Sequence, residues 1–139
     1  MRAAVSIGPN FAVGNIMWGA LAVAAWHMGL LAPFFGADPI EGHLLILLGV
    51  IYLAGQGAIL IGALDAADRI AQFLPRIGLG CFILTLLHLG MNADLASAAG
   101  KAAFARGVIQ CMGLTCAAVL GMVVLETVIW LVERYDAQT

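Results

Sequence analysis

Charge is what this sequence has least of. Its 139 residues include six Lys and Arg and eight Asp and Glu, 10% of the chain, where a soluble domain carries about a quarter. A small globule has a high surface-to-volume ratio and needs polar side chains to face water, so this supply excludes an ordinary water-soluble domain. The cations are scattered, with no basic block and a formal net charge of -2, which excludes the electrostatic footprint of a nucleic-acid-binding protein. Cysteine is scarce too: Cys81, Cys111 and Cys116 lie inside apolar runs and make neither a disulfide framework nor a CxxC metal knuckle. None of the 17 glycines falls in a GxGxxG or phosphate-loop pattern, so nucleotide binding has no support. No Ser/His/Asp or Cys/His order and no carboxylate pair on one helix face is present, and no enzymatic activity is expected.

What the chain has instead is apolar sequence, 63% of its residues. Charges punctuate it: 35 uncharged residues separate Arg2 from Asp38, 23 separate Glu41 from Asp65, 17 separate Arg76 from Asp94, and 19 separate Arg106 from Glu126. A helix needs roughly 20 apolar residues to cross a hydrocarbon core of about 30 Å, so each stretch holds one span. The expectation is an all-α fold, an integral membrane four-helix bundle forming a single transmembrane domain over 1–139. Its spans are expected near 11–35, 42–64, 75–91 and 107–132, joined by loops at Gly36–Glu41, Asp65–Leu74 and Asn92–Arg106. Only Arg2 precedes the first apolar run, which is too long for a signal peptide and lacks a small-residue cleavage site, so that span is expected to remain in the protein.

Lys and Arg set orientation. Four spans collect Arg2, Arg69, Arg76 and Arg134 on one side and Lys101 and Arg106 on the other, which predicts both termini in the cytoplasm and a multi-pass protein of a bacterial inner membrane. Trp130 and Tyr135 then fall at the inner interface and Phe34 and Phe35 at the outer one. The first loop, with Asp38 and Glu41, lies outside.

In lipid, helices associate where small residues let backbones approach. The second expected span carries Ala54, Ala58 and Gly62 at four-residue spacing, and the fourth carries Gly113, Ala117 and Gly121 in the same register. Either face serves packing within the bundle or self-association of copies, and spacing does not separate the two.

Polar groups at membrane depth are costly and are the first candidates for function. Glu126 lies about two turns before the end of the fourth expected span. It reads either as a proton-titrating or cation-attracting carboxylate facing a polar cavity, or as a side chain that snorkels to the interface or pairs with Arg69, Arg76 or Arg134. His27, His88 and His43 fall in one outer layer, with Met28, Met91, Met112 and Cys111 at similar depth. That set contains ligands that haem iron or copper accepts, although no HxxxH or HExxH spacing puts two ligands on one helix face. The alternative is hydrogen bonding of each imidazole to backbone or a neighbouring helix, with no cofactor expected. Asn15, Gln56, Thr85, Gln110 and Thr115 are further candidates for interhelical hydrogen bonds.

The segment Leu74-Pro75-Arg76-Ile77-Gly78-Leu79-Gly80 opens one expected span after an amphipathic stretch, and Gly107-Val108-Ile109-Gln110-Cys111-Met112-Gly113-Leu114-Thr115-Cys116-Ala117-Ala118-Val119 begins the last. Over about 65–132 this resembles the two pore-lining helices of the MotA/TolQ/ExbB proton-channel family. There an Ile-Gly-Leu stretch precedes one helix, and Gly-Leu followed by small residues marks the next. Where that family has a Gly-Thr pair, this chain has Cys81-Phe82. The resemblance implies a ring of subunits around the single helix of a partner. Such a ring is expected to turn Gln110, Thr115 and Glu126 toward a central proton pathway, Glu126 having no counterpart carried over from the family.

Three functions follow as expectations. The first is a small multi-pass subunit of an oligomeric membrane assembly, in contact with lipid and with other membrane subunits or copies of itself, working as a proton-channel-like ring. The second is a redox-complex anchor of cytochrome-b-like character, with His27 and His88 as axial haem ligands and a quinone nearby. The third is a purely structural accessory or scaffold subunit, or a phage-type pore former.

Overall fold

The computed structural model describes residues 2–34 and 39–138. They form four helices, α1 (Arg2–His27), α2 (Pro39–Leu60), α3 (Leu64–Asn92) and α4 (Ala98–Asp136), with a 3-10 turn at Ala32–Phe34 between the first two. No strand occurs among the described residues. All four helices are long and apolar enough to cross a membrane.

Two glycines decide where α1 and α2 stop. Gly29 and Gly62 have φ of 70° and 78°, the left-handed region that a Cβ disfavours. At each, the glycine N–H donates three residues back and the following N–H five residues back: Gly29 to Trp26 and Leu30 to Ala25, Gly62 to Ile59 and Ala63 to Ala58. This is the Schellman arrangement, which satisfies carbonyls that a helix end leaves unpaired. The first span therefore ends near His27 rather than Phe35, and Gly62 is a cap rather than a packing residue.

The stretch expected as a loop at Asp65–Leu74 is helical. α3 starts directly after the Gly62 turn and runs through Pro75 without a break. A proline inside a helix forfeits one hydrogen bond and costs about 3 kcal/mol. Burial of Ala67, Ala71, Leu74 and Gly78 on one face of the same segment supplies the compensation. The next connection is also shorter than expected. Asp94 Oδ1 accepts from the N–H of Ala96, and Ser97 Oγ accepts from the N–H of Gly100 at 3.0 Å, capping α4 at Ala98. α4 has 39 residues, about 58 Å of helix, and so exceeds a hydrocarbon core of about 30 Å.

The helices alternate in direction, and α4 touches every other element. A Cβ added at Gly107 would collide with Leu89, one at Gly78 with Ala118, and one at Gly121 would touch Leu74. These pairs step oppositely along α3 and α4 by nearly equal numbers of residues, which fixes an antiparallel register. At Gly78 the backbone of α4 lies behind Ala118, with Leu114 O and Thr115 Cα 3.3 and 3.4 Å from the site of that Cβ. Gly78 is thus a close-approach residue of the largest helix pair.

The core is built mainly from α4, whose Leu114, Ala118, Leu125, Val128 and Val132 are buried against Ile59, Leu74, Ala67 and Ala71. Outside it, the bundle surface is apolar: Ile16, Leu21, Ile46, Leu53, Leu84, Leu87, Met112 and Leu120 are all exposed. An apolar belt of this extent on four spanning-length helices suits lipid and not water.

Candidate functional site

Among the described residues, the carboxylate that the fold buries is Glu41, not Glu126. Glu41 was expected in an outer loop, yet it sits in the first turn of α2 and is 5% exposed. The Sγ of Cys111, itself 1% exposed, lies 3.8 Å from its Oε1 in hydrogen-bonding geometry. Pro39 opens α2 just ahead of it, as proline does at a first helical position. An acid in the first turn also meets the positive end of the helix dipole. The signal in the sequence is Pro39-x-Glu41 at a helix start, which the spacing of charges alone assigns to the loop before the second apolar run.

Glu41 lines a cavity of about 610 Å³ between the end of α1, the 3-10 turn, the start of α2 and the middle of α4. Leu31, Phe34, Leu45, Leu114 and Leu120 form apolar walls, and Thr115 and Cys116 are also at its surface. A second hollow of about 280 Å³ shares Leu45, Ala117 and Leu120 with it and continues along α4 to Tyr52, Leu74 and Val124.

Deeper in the bundle, α1 and α2 are joined by three polar side chains. Asn15 Nδ2 donates to Gln56 Oε1 at 3.2 Å, and Gln56 Nε2 donates to Asn15 Oδ1 at 3.0 Å. Gln56 Nε2 also donates to the Tyr52 hydroxyl at 2.6 Å, and that hydroxyl donates to Asn15 Oδ1 at 3.4 Å. Asn15 Nδ2 further reaches the Phe11 carbonyl at 2.8 Å. Gln56 is 6% exposed, so these bonds satisfy amides that lipid or core would otherwise strand.

The other expected site residues are dispersed. Glu126 is exposed on α4, outside every cavity described. Gly55 packs against both Leu125 and Ile70, which puts Glu126 level with Arg69 on the neighbouring helix. Arg76 and Arg134 lie over Phe73 and Trp130, 5.4 and 4.9 Å from the ring centres. Thr115 donates to the Gly78 carbonyl at 3.5 Å, binding α4 to α3. Gln110 is half-buried and lies about 140° around the helix from Thr115, so the two do not share a face. Thr85 is buried and bonds to Cys81 O in its own helix.

His27, His43 and His88 are each exposed, at the end of α1, near the start of α2 and late in α3. Asn92 Nδ2 donates to the His88 carbonyl and lies 3.5 Å from His88 Nδ1. Among the described residues, no group of three or more His, Cys, Asp or Glu side chains is arranged to hold a metal ion. Of the small residues, Ala54 is exposed and Ala58 buried. Gly113 abuts the Phe34 backbone rather than a helix, Gly121 faces Leu74 and Tyr52, and Ala117 lines both hollows. Compared with known proteins, the chain matches no family model, no curated protein and no solved structure.

Proposed function

We propose that this protein is a small multi-pass subunit of an oligomeric membrane assembly, and that α1 carries its contact surface. The observation behind this reading is how little of α1 its own bundle uses. Only 11% of its most apolar stretch is buried, against 28% for α3 and for α4. Its outward side presents Gly8, Ala12, Ala20 and Ala24 on one four-residue register, broken only by the bulkier Ile16, all exposed, and a Cβ at Gly8 would meet nothing within 4 Å. Small residues in a row offer lipid little and offer a second helix a close approach. The rows on α2 and α4 are spent elsewhere: Gly62 caps a helix, and Gly113 and Gly121 face this chain's own Phe34, Leu74 and Tyr52.

Arg69, Arg76 and Arg134 stand toward the same end of the bundle as the termini, and on the positive-inside rule we place that end in the cytoplasm. In the assembly, α1 meets the corresponding helix of another copy or the single helix of a partner; the resemblance to the MotA/TolQ/ExbB family, which covers about 65–132, implies a ring around such a partner helix. Gln110, Thr115 and Glu126 do not form one row on α4, so the proposal rests on assembly through α1 and not on a pore lined by these three.

The test is single-cysteine cross-linking in native membranes. With Cys116 replaced by Ser, Ala12→Cys and Ala20→Cys on α1 are expected to give oligomeric or partner adducts on oxidation, while Leu53→Cys on α2 gives none. A monomeric mass in mild detergent, together with no adduct from either α1 position, overturns the proposal.

A further inference from the structure

We infer that Arg76 and the outer face of α3 hold one anionic phospholipid by its phosphodiester, in the leaflet at the end of the bundle where the termini lie. The site is apart from α1 and does not rest on the assembly proposed above.

Helical spacing sets the face. Phe73, Arg76, Gly80, Ile83, Leu84 and Leu87 recur at three- and four-residue steps, which puts them on one side of α3, and all six are exposed. The side that α3 buries in the bundle carries Leu74, Gly78, Cys81 and Thr85 instead. Polarity changes once along the outer face. A cation stacked on an aromatic ring stands at its lower end, and from there to Leu87, about 16 Å of helix, the side chains are hydrocarbon. At Gly80, one turn above Arg76, a Cβ would meet nothing within 4 Å. The face is therefore notched there, between Arg76 and the pair Ile83 and Leu84, and the notch seats an acyl chain whose head lies at Arg76.

Charge selects the head. Among the described residues Arg76 has no carboxylate partner; its contact is the Phe73 ring, 5.4 Å from the guanidinium. The acids of this end stand lower. Glu126 is at the height of Arg69, about 10 Å away along the axis, and Asp68 accepts from Gln72 at 2.7 Å. Arg134 makes the same kind of stack on Trp130, but Glu133 and Asp136 lie within two residues of it, and Asp65 and Asp68 lie within four of Arg69. Arg76 is thus the cation of this end without an acid nearby. An unpaired guanidinium at the edge of hydrocarbon is stabilised by an anion, and its planar N–H groups match phosphate oxygens. A zwitterionic head brings an ammonium for which this face has no acid, so a head with net negative charge is preferred.

The test is native mass spectrometry of delipidated wild-type protein in mild detergent, titrated with phosphatidylglycerol or phosphatidylcholine of the same chains. The first phosphatidylglycerol is expected to bind about fivefold more tightly than the first phosphatidylcholine, the factor for one Arg at a membrane surface. Arg76→Gln is expected to bring that ratio near one, while Arg69→Gln, the same loss of charge on the same face, leaves it within about twofold of wild type. A phosphatidylglycerol with a diazirine in its chain is expected to label wild-type α3 between Leu79 and Leu87, and chain-free glycerol phosphate is expected not to compete. A wild-type ratio near one, or labelling spread evenly over the exposed belt, overturns the inference whether or not either variant folds. Equal losses in the two variants would reduce the preference to net charge and overturn the site, and competition by glycerol phosphate would overturn the lipid as its ligand.

Discussion

The Sγ of Cys111 and Oε1 of Glu41 lie 3.8 Å apart, a polar contact between the start of α2 and the middle of α4 across 70 positions of sequence. Both side chains are buried, so the contact joins two helices at the rim of the cavity. A thiol is a weak donor, and hydrogen bonds between membrane helices average well under 1 kcal/mol above their unfolded reference. The coupling is therefore small but measurable. A double-mutant cycle of Cys111→Ala and Glu41→Gln, read by thermal unfolding in detergent, is expected to give about 0.5–1 kcal/mol of interaction energy. Additive effects would show that the contact contributes nothing.

Gly78 and Gly80 give a sharper contrast within one turn of α3. A Cβ at Gly78 would strike Ala118 with the α4 backbone behind it, while one at Gly80 would meet nothing within 4 Å. Gly78→Ala is expected to destabilise by about 1–3 kcal/mol as the helices are forced apart. Gly80→Ala is expected to be neutral or to stabilise by up to about 1 kcal/mol, because alanine restricts the unfolded chain and favours helix. Equal melting temperatures for the two variants would contradict the close approach at Gly78.

That contrast also shows what was legible in the sequence. Uncharged stretches between ionisable residues reveal four helices of spanning length, because the cost of placing charge in hydrocarbon is written into the spacing. Helix ends are not legible in the same way: the positive φ at Gly29 and Gly62 that stops α1 and α2 is hidden in sequence by the apolar residues on either side. The burial of the acids is less legible. Counting along the chain leaves Glu126 either at membrane depth or at the interface and puts Glu41 in a loop, but exposure depends on azimuth and on what folds over a residue. Glu126 points away from the core that Leu125 and Val128 build, and Glu41 is enclosed by α4 and the 3-10 turn. Nor does a four-residue spacing of small side chains tell which row is used internally; only the packing of Gly78 on Ala118 and Gly113 on Phe34 shows that.

The reciprocal amide pair of Asn15 and Gln56 leads to a non-additive result. Asn15→Leu leaves Gln56 Oε1 without its donor while Gln56 Nε2 keeps the Tyr52 hydroxyl, and Gln56→Leu leaves Asn15 Oδ1 with only the long Tyr52 contact; each is expected to cost about 1–2 kcal/mol. Replacing both removes the stranded group as well and is expected to cost less than the sum of the single changes. Unfolding of the two single variants and the double in mixed micelles measures it, and strict additivity would mean that each amide finds another partner.

Trp18, one turn beyond Asn15, has a buried indole Nε1 with no hydrogen-bond partner among the described residues. An unmade bond on a buried donor costs about 1–3 kcal/mol. Trp18→Phe deletes the donor and keeps an aromatic ring, so it is expected to leave the melting temperature unchanged or raise it. Trp18→Ala deletes the ring as well and is expected to lower it. A drop with Trp18→Phe as large as with Trp18→Ala would mean that the indole N–H has an acceptor in the membrane.

Glu126 tests where the hydrocarbon ends. Gly55 packs on Ile70 and on Leu125, so Arg69 on α3 and Glu126 on α4 stand at the same height. Arg76 lies two turns nearer the middle, and its guanidinium is stacked on Phe73, three residues back toward the N-terminal end of α3. Helical side chains lean toward the N-terminus, and long cations follow that lean to reach an interface. The boundary on this side is therefore expected between the heights of Arg76 and Arg69, which would set Glu126 at the interface, where an exposed carboxylate costs little. With Cys116 replaced by Ser and Cys81 and Cys111 buried, Glu126→Cys is expected to react with a membrane-impermeant maleimide within about threefold of the rate of Arg69→Cys. Val119→Cys, exposed on the same helix but about 10 Å closer to the middle, is expected to be protected. Protection of Glu126→Cys at the level of Val119→Cys would put the carboxylate back inside the hydrocarbon, where it would need a partner chain to shield it.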